Sequence, residues 1–218
     1  MFEASQQLLF VLGSMVFIAS VMLHLAKKNH LAVTLYVVQS LAIGGLLLLS
    51  LLFDFSYLLL LAVVCTIIVK GVVAPYFFLK LIKQNKLQFA TSTYLNTPLT
   101  LVIVALIVVF IRTIFWNALQ TFDGVNPDLL LLSLATILVS GFVLINRKGA
   151  LSQILGVLSI ENSIVSFALF AGLEQSPALQ FGITFDILVW VIVSSIFVTL
   201  IYKQFGTLDV TSMKKLTE

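Results

Sequence analysis

Residues 98–116 read PLTLVIVALIVVFIRTIFW, a run of 19 residues in which Arg112 is the one charge. Wound as an α-helix, such a run is about 30 Å long, which matches the hydrocarbon thickness of a bilayer. Similar apolar runs recur near 7–26, 31–53, 57–82, 128–146, 150–172 and 178–202, and short polar turns separate them. The chain therefore predicts an all-α, polytopic integral membrane protein of about seven transmembrane helices.

Composition leaves little room for another fold. Of the 218 residues, 61% are apolar and 10% charged, and the mean hydropathy of +1.16 lies well above that of a soluble domain. A membrane β-barrel uses shorter, alternating segments, so it is excluded as well. The first apolar run has no basic region before it and no small-residue cleavage site after it, and is expected to be retained as a helix. No linker is long enough to delimit a soluble domain.

Charge sorts the turns into two sets. Lys27 and Lys28, then Lys80, Lys83 and Lys86, then Arg147 and Lys148, then Lys203, Lys214 and Lys215 fall on one side. The opposite turns hold Asp54, Asp123, Asp128 and Glu174 without a lysine or arginine, and the amino terminus offers Glu3. By the positive-inside rule the basic side is cytoplasmic, which predicts an N-out, C-in topology and an odd number of helices.

Asn96-Thr97-Pro98 and Asn126-Pro127-Asp128 place a proline near a helix start, and Asp123-Gly124 breaks the loop before the second of these. Residues 83–97, rich in Lys, Gln, Asn and Thr, form the longest cytoplasmic loop and are expected to include a surface segment. The tail after Tyr202 is too short to fold alone but long enough to dock on a partner.

Three ionisable residues fall inside predicted spans: Lys70 near the middle of the third, Glu161 near the middle of the sixth, and Asp186 about a third of the way down the seventh from the outer face. A charge at the helix centre costs on the order of 3 kcal/mol on insertion scales, so each needs a reason. One reading is a proton or ion path. The other is that Lys70 pairs with a carboxylate and locks helices together. Pro75 favours the first, because it cannot donate to the Gly71 carbonyl, and a loosened helix beside a buried lysine suits a hydrated gate.

Ser152, Gly156, Ser159, Ser163 and Ser166 form a small-residue stripe on the sixth span, read as a seam for close helix packing. Glu161 points away from that stripe and should face another neighbour, while Asn162 lies near its edge. Gly182, Asp186 and Trp190 share a face of the last helix. His24 and Arg112 lie within snorkelling reach of the membrane surface, and Gln39, Ser40, Thr66 and Ser140 are expected to bond to neighbouring helices. Cys65, His24 and His30 are too few and too scattered to chelate nickel, zinc or an iron–sulfur cluster, so neither metal nor other cofactor is expected on this chain.

Lys70-Gly71-Val72-Val73-Ala74-Pro75, Glu161-Asn162, Gly182-Ile183-Thr184-Phe185-Asp186 and Gly206-Thr207-Leu208-Asp209-Val210, with Gln39-Ser40-Leu41, occur in order across most of the chain. Together they resemble hydrogenase-4 component E, a membrane subunit of formate-hydrogenlyase-type complexes. The last three predicted helices are also similar to the K-type subunit of respiratory complex I and to the C-type subunit of multisubunit cation/proton antiporters. Glu161 and Asp186 stand where that subunit carries its carboxylates, and Asn146-Arg147-Lys148 resembles its basic turn. Counted from Gly156, Glu161 falls about one turn later than in the complex I pattern, a shift of about 4.5 Å in depth on nearly the same face.

The resemblance implies a two-part chain, with a four-helix part over 1–127 and a K-type-like three-helix part over 128–218. It also implies a bacterial or archaeal cytoplasmic membrane and a subunit with no catalytic centre of its own. Such a subunit links antiporter-like membrane subunits to the membrane anchor of a peripheral arm, whose nickel–iron and iron–sulfur subunits carry the redox chemistry. The lipid bilayer is a further partner, and no nucleic acid is expected. On this reading Glu161, Asp186 and Lys70 contribute to a proton or sodium path, supported by Pro75, Gly71 and Asn162. A purely structural assembly subunit is the alternative, as is a subunit of a cation/proton antiporter.

Overall fold

The computed structural model describes residues 2–53, 55, 57–85, 87, 89–90, 92–121, 126–172 and 177–208. Among them the secondary structure is helical: α1 (Phe2–Leu25), α2 (Asn29–Phe53), α3 (Tyr57–Ile68), a π-helical segment (Val69–Val73), α4 (Ala74–Gln84), α5 (Thr97–Leu119), α6 (Pro127–Asn146), α7 (Ala150–Phe170) and α8 (Pro177–Phe205). Because α3, the π segment and α4 run on as one rod, the described residues form seven helices long and apolar enough to cross a membrane. Their limits agree with the apolar runs to within a few residues. Asp54, Lys86, Asp123, Gly124, Glu174, Asp209, Val210, Lys214 and Lys215 lie outside the described residues.

Local chemistry sets the helix ends. The Asn96 side chain accepts a hydrogen bond from the Leu99 amide at 3.1 Å, with Pro98 in the first turn of α5. Asn126 does the same for the Asp128 amide at 3.0 Å, with Pro127 opening α6. Each arrangement satisfies one amide that the helix itself leaves without an acceptor, and proline at the start lacks an amide that would be wasted there. Gly172 and Gly206, both at φ 66°, turn the chain out of α7 and α8, a left-handed backbone that glycine adopts without steric cost.

Close approach of helix backbones relies on other glycines. A Cβ on Gly44 of α2 would lie 2.8 Å from Ile67 Cγ1 of α3, and one on Gly156 of α7 would lie 2.8 Å from Leu144 Cδ2 of α6. Both positions hold a helix pair closer than a larger residue would allow. Around them the buried apolar side chains form three cores, and each draws on residues before and after 127. Outside the cores, α5 presents Val102, Leu106, Val109 and Phe110 as exposed apolar residues, the surface expected of a helix facing lipid.

The basic turns share one end of the bundle. There, the described residues of the loop between α4 and α5 (85, 87, 89–90 and 92–96) form no helix and act as a strap across the turns. Asn29 donates from Nδ2 to the carbonyls of Leu87 and Phe89 at 2.9 and 3.1 Å, and the Ala90 amide bonds the Lys27 carbonyl at 3.0 Å. Further on, the Lys148 amide bonds the Ser92 carbonyl at 3.2 Å and the Tyr94 amide the Asn146 carbonyl at 2.9 Å. The strap thereby ties the α1–α2 turn to the α6–α7 turn. At the same end Arg147 donates from Nη2 to the carbonyls of Leu23 and Ala26, at 2.6 and 2.8 Å, and so caps the carboxyl end of α1 with a positive charge.

Candidate functional site: a buried lysine at a π-helical segment

The rod formed by α3 and α4 changes winding where Pro75 demands it. Proline removes one amide from the ladder, and the segment Val69–Val73 answers by widening to π geometry, with the Ala74 amide bonding the Val69 carbonyl five residues back. Lys70 sits inside that segment and is 1% exposed. The loosening expected from Pro75 therefore takes the form of one wide turn, and Lys70 is on it. Gly71 does not serve a tight contact: a Cβ there would meet Leu41 Cδ2 at 3.6 Å, an ordinary packing distance.

Lys70 reaches α7. Its Nζ lies 3.1 Å from Glu161 Oε1 and donates to Asn162 Oδ1 at 2.9 Å. Glu161 is 25% exposed, whereas Asn162 is fully buried. Adjacent residues on a helix point about 100° apart, so one lysine head can touch both only by lying between them. Asn162 also donates from Nδ2 to Ser40 Oγ of α2 at 3.3 Å, which links the charged pair to the interior. Asp186 lies on α8, and its side chain is outside the described residues. On the same helix Ile187, Val191 and Val198 pack into the core that holds Val69, while Trp190 is exposed.

A second buried polar cluster lies next to Ser40. Gln39 of α2 donates from Nε2 to Ser20 Oγ of α1 at 2.6 Å and to Ser159 Oγ of α7 at 2.9 Å. Ser140 of α6 lies 2.9 Å from Ser159 Oγ, 3.1 Å from Ser20 Oγ and 3.3 Å from Ser163 Oγ. The serine stripe of α7 is thus a packing seam and a hydrogen-bonding surface at once, and all four hydroxyls with Gln39 are buried. Sequence reasoning placed the stripe on one face. It could not supply Gln39 as the hub, because that depends on which helix packs against the stripe.

The remaining polar residues have local roles. His24 does not snorkel: it is buried, its Nε2 lies 3.0 Å from the Val139 carbonyl, and its ring stacks on Phe142 at 4.9 Å. Arg112 is exposed, stacks over Trp116 at 3.5 Å and pairs with Asp128 at 3.3 Å, an interaction worth little beside a solvent-shielded one. Thr66 is buried on α3. Among the described residues, no three or more His, Cys, Asp and Glu side chains come together as a metal-binding group.

Compared with known proteins, the chain matches no family model, no curated protein and no solved structure.

Proposed function

We propose that this chain is a multi-pass membrane subunit of a complex-I-like hydrogenase or formate hydrogenlyase complex, lying N-out and C-in in a bacterial or archaeal cytoplasmic membrane. It bridges antiporter-like subunits and the membrane anchor of a nickel–iron arm, and its buried charges carry part of a proton or sodium path. The observation that carries the reading is Lys70, buried on a π-helical turn and held between Glu161 and Asn162. The order and spacing of the motifs around Lys70, Glu161, Asp186 and Gly206 add the choice of complex.

The arrangement suits proton relay for a physical reason. Lys70 has a neutral partner in Asn162 and a titratable one in Glu161. When a proton reaches Glu161 the ion pair is lost, but the lysine keeps one hydrogen bond and does not need to leave the site. Glu161 is the more exposed of the two partners, so proton entry is easiest there. Asp186 serves as the next acceptor on the path, and Lys70 tunes both carboxylates by its charge. A purely structural role is the competing reading, favoured by the bond from Asn162 to Ser40, which lets the same contacts simply fix helix register.

The test is a preparation in which the chain is tagged at its carboxyl terminus and extracted from membranes in mild detergent. Recovery from the membrane fraction checks the bilayer placement. Co-purification of antiporter-like subunits together with a nickel- and iron-containing arm is the expected result. A lone, metal-free chain would overturn the subunit reading and point to a self-standing transporter.

A further inference from the structure

The strap at the basic end covers a cavity that the proton path does not use. It measures about 300 Å³ and lies between the strap and the ends of α1, α5 and α6. Lys27, Arg147, His24, Ser92, Thr93 and Thr97 border it. Among the described residues no carboxylate lines it and Arg147 has no carboxylate partner. Arg147 is 4% exposed and bonds two α1 carbonyls through Nη2, yet its Nε and the Nδ1 of buried His24 have no hydrogen-bond partner.

A guanidinium removed from water and faced only by neutral carbonyls is under-compensated. Burial pushes the Arg147 pKa below its ordinary value, in the same sense, but an arginine stays protonated. The group therefore calls for negative charge, and the cavity beside it has room and hydroxyls to bond one. Among the described residues, an adjacent cavity of about 330 Å³ toward α8 is lined by no lysine or arginine, in contrast to the first.

We infer that this cavity binds the phosphate of an anionic phospholipid headgroup, held by Lys27, Arg147 and the hydroxyls of the strap. Two features favour a lipid over free phosphate. With the seven spanning helices in a bilayer, the ends of α1 and α6 lie at the lipid–water boundary. Phe89 borders the cavity and is 70% exposed, an apolar flank for the glycerol and acyl chains, and Tyr94 is exposed nearby on the strap, as aromatic side chains are at such boundaries. The inference rests on the bilayer placement and not on the hydrogenase reading, and recovery from the membrane fraction tests that placement separately.

Full-length chain, extracted in detergent and freed of lipid, is titrated with short-chain phosphatidylglycerol, phosphatidylcholine of the same length, and sodium phosphate, with bound adducts counted by native mass spectrometry. Phosphatidylglycerol is retained in preference to phosphatidylcholine, and equimolar phosphate does not displace it. Lys27→Gln weakens retention about fivefold, the size expected for one basic residue at a membrane surface, while Lys203→Gln, exposed at the same end but outside the cavity, leaves it unchanged. Equal retention of both lipids, or equal effects of the two substitutions, would overturn the site. Displacement by equimolar phosphate would overturn the lipid as its occupant.

Discussion

The bundle buries polar groups in two adjacent places and by two different means. Around Gln39 the groups are neutral: its amide donates to Ser20 and Ser159, and Ser140 lies within hydrogen-bond distance of Ser20, Ser159 and Ser163, so that the cluster draws on α1, α2, α6 and α7. Around Lys70 the groups are charged, the helix is π-wound, and one partner is partly exposed. A neutral cage has one protonation state and so one structure. A lysine shared between a carboxylate and an amide has two, which differ by a single proton. Under the proposed function, the contrast makes the Gln39 cage architecture and the Lys70 corner the place of activity, two sites that lie close together because Asn162 bonds Ser40, the chain neighbour of Gln39.

Substitutions can break that contrast or sharpen it. The largest effect is expected from Glu161→Ala, which leaves the buried ammonium of Lys70 with Asn162 as its remaining described partner. Removing one side of a buried pair costs about 3–5 kcal/mol, read as a lowered thermal midpoint in detergent. The double variant Lys70→Met/Glu161→Leu should recover most of that loss, since an apolar pair of similar volume replaces the charges. Failure of the double variant to recover would mean that the ion pair is architectural and that the contrast is false.

Gln39→Leu comes next, at about 1–3 kcal/mol, because it removes the buried donor that Ser20 and Ser159 share. It should leave proton transfer per assembled complex unaltered, measured by dye quenching in proteoliposomes. A loss of proton transfer at full assembly would move the cage from architecture to the path. The smallest effect is expected at Gly71, where alanine meets only an ordinary contact with Leu41. Gly71→Ala should change stability by less than about 1 kcal/mol, by the same thermal measurement.

The two regions were also unequally legible in the sequence. Each spanning helix is a local property of an apolar run, so the limits of α5 and α6 could be read from Asn96, Pro98, Asn126 and Pro127 alone. Pro75 announced a disturbed helix, but not that the missing amide would be absorbed as a π turn with Lys70 on it. That Lys70 meets Glu161 depends on the π-helical segment lying within reach of α7, and nothing local to either encodes this. For the same reason the α7 serines were visible as a stripe and Gln39 was not visible as their hub. The bonds of the strap are not legible in the sequence because they join residues more than 50 positions apart, Asn29 with Leu87 and Ser92 with Lys148.

The central claim is that Glu161 changes protonation in the course of coupled ion movement. The most direct measurement is proton transfer by the assembled complex carrying Glu161→Gln, in sealed vesicles driven by the complex's own redox reaction, with assembly checked on a native gel. Gln keeps a hydrogen-bond acceptor for Lys70 but cannot carry the proton. Loss of coupled proton transfer with assembly intact is the predicted result; transfer at the wild-type rate would contradict the account.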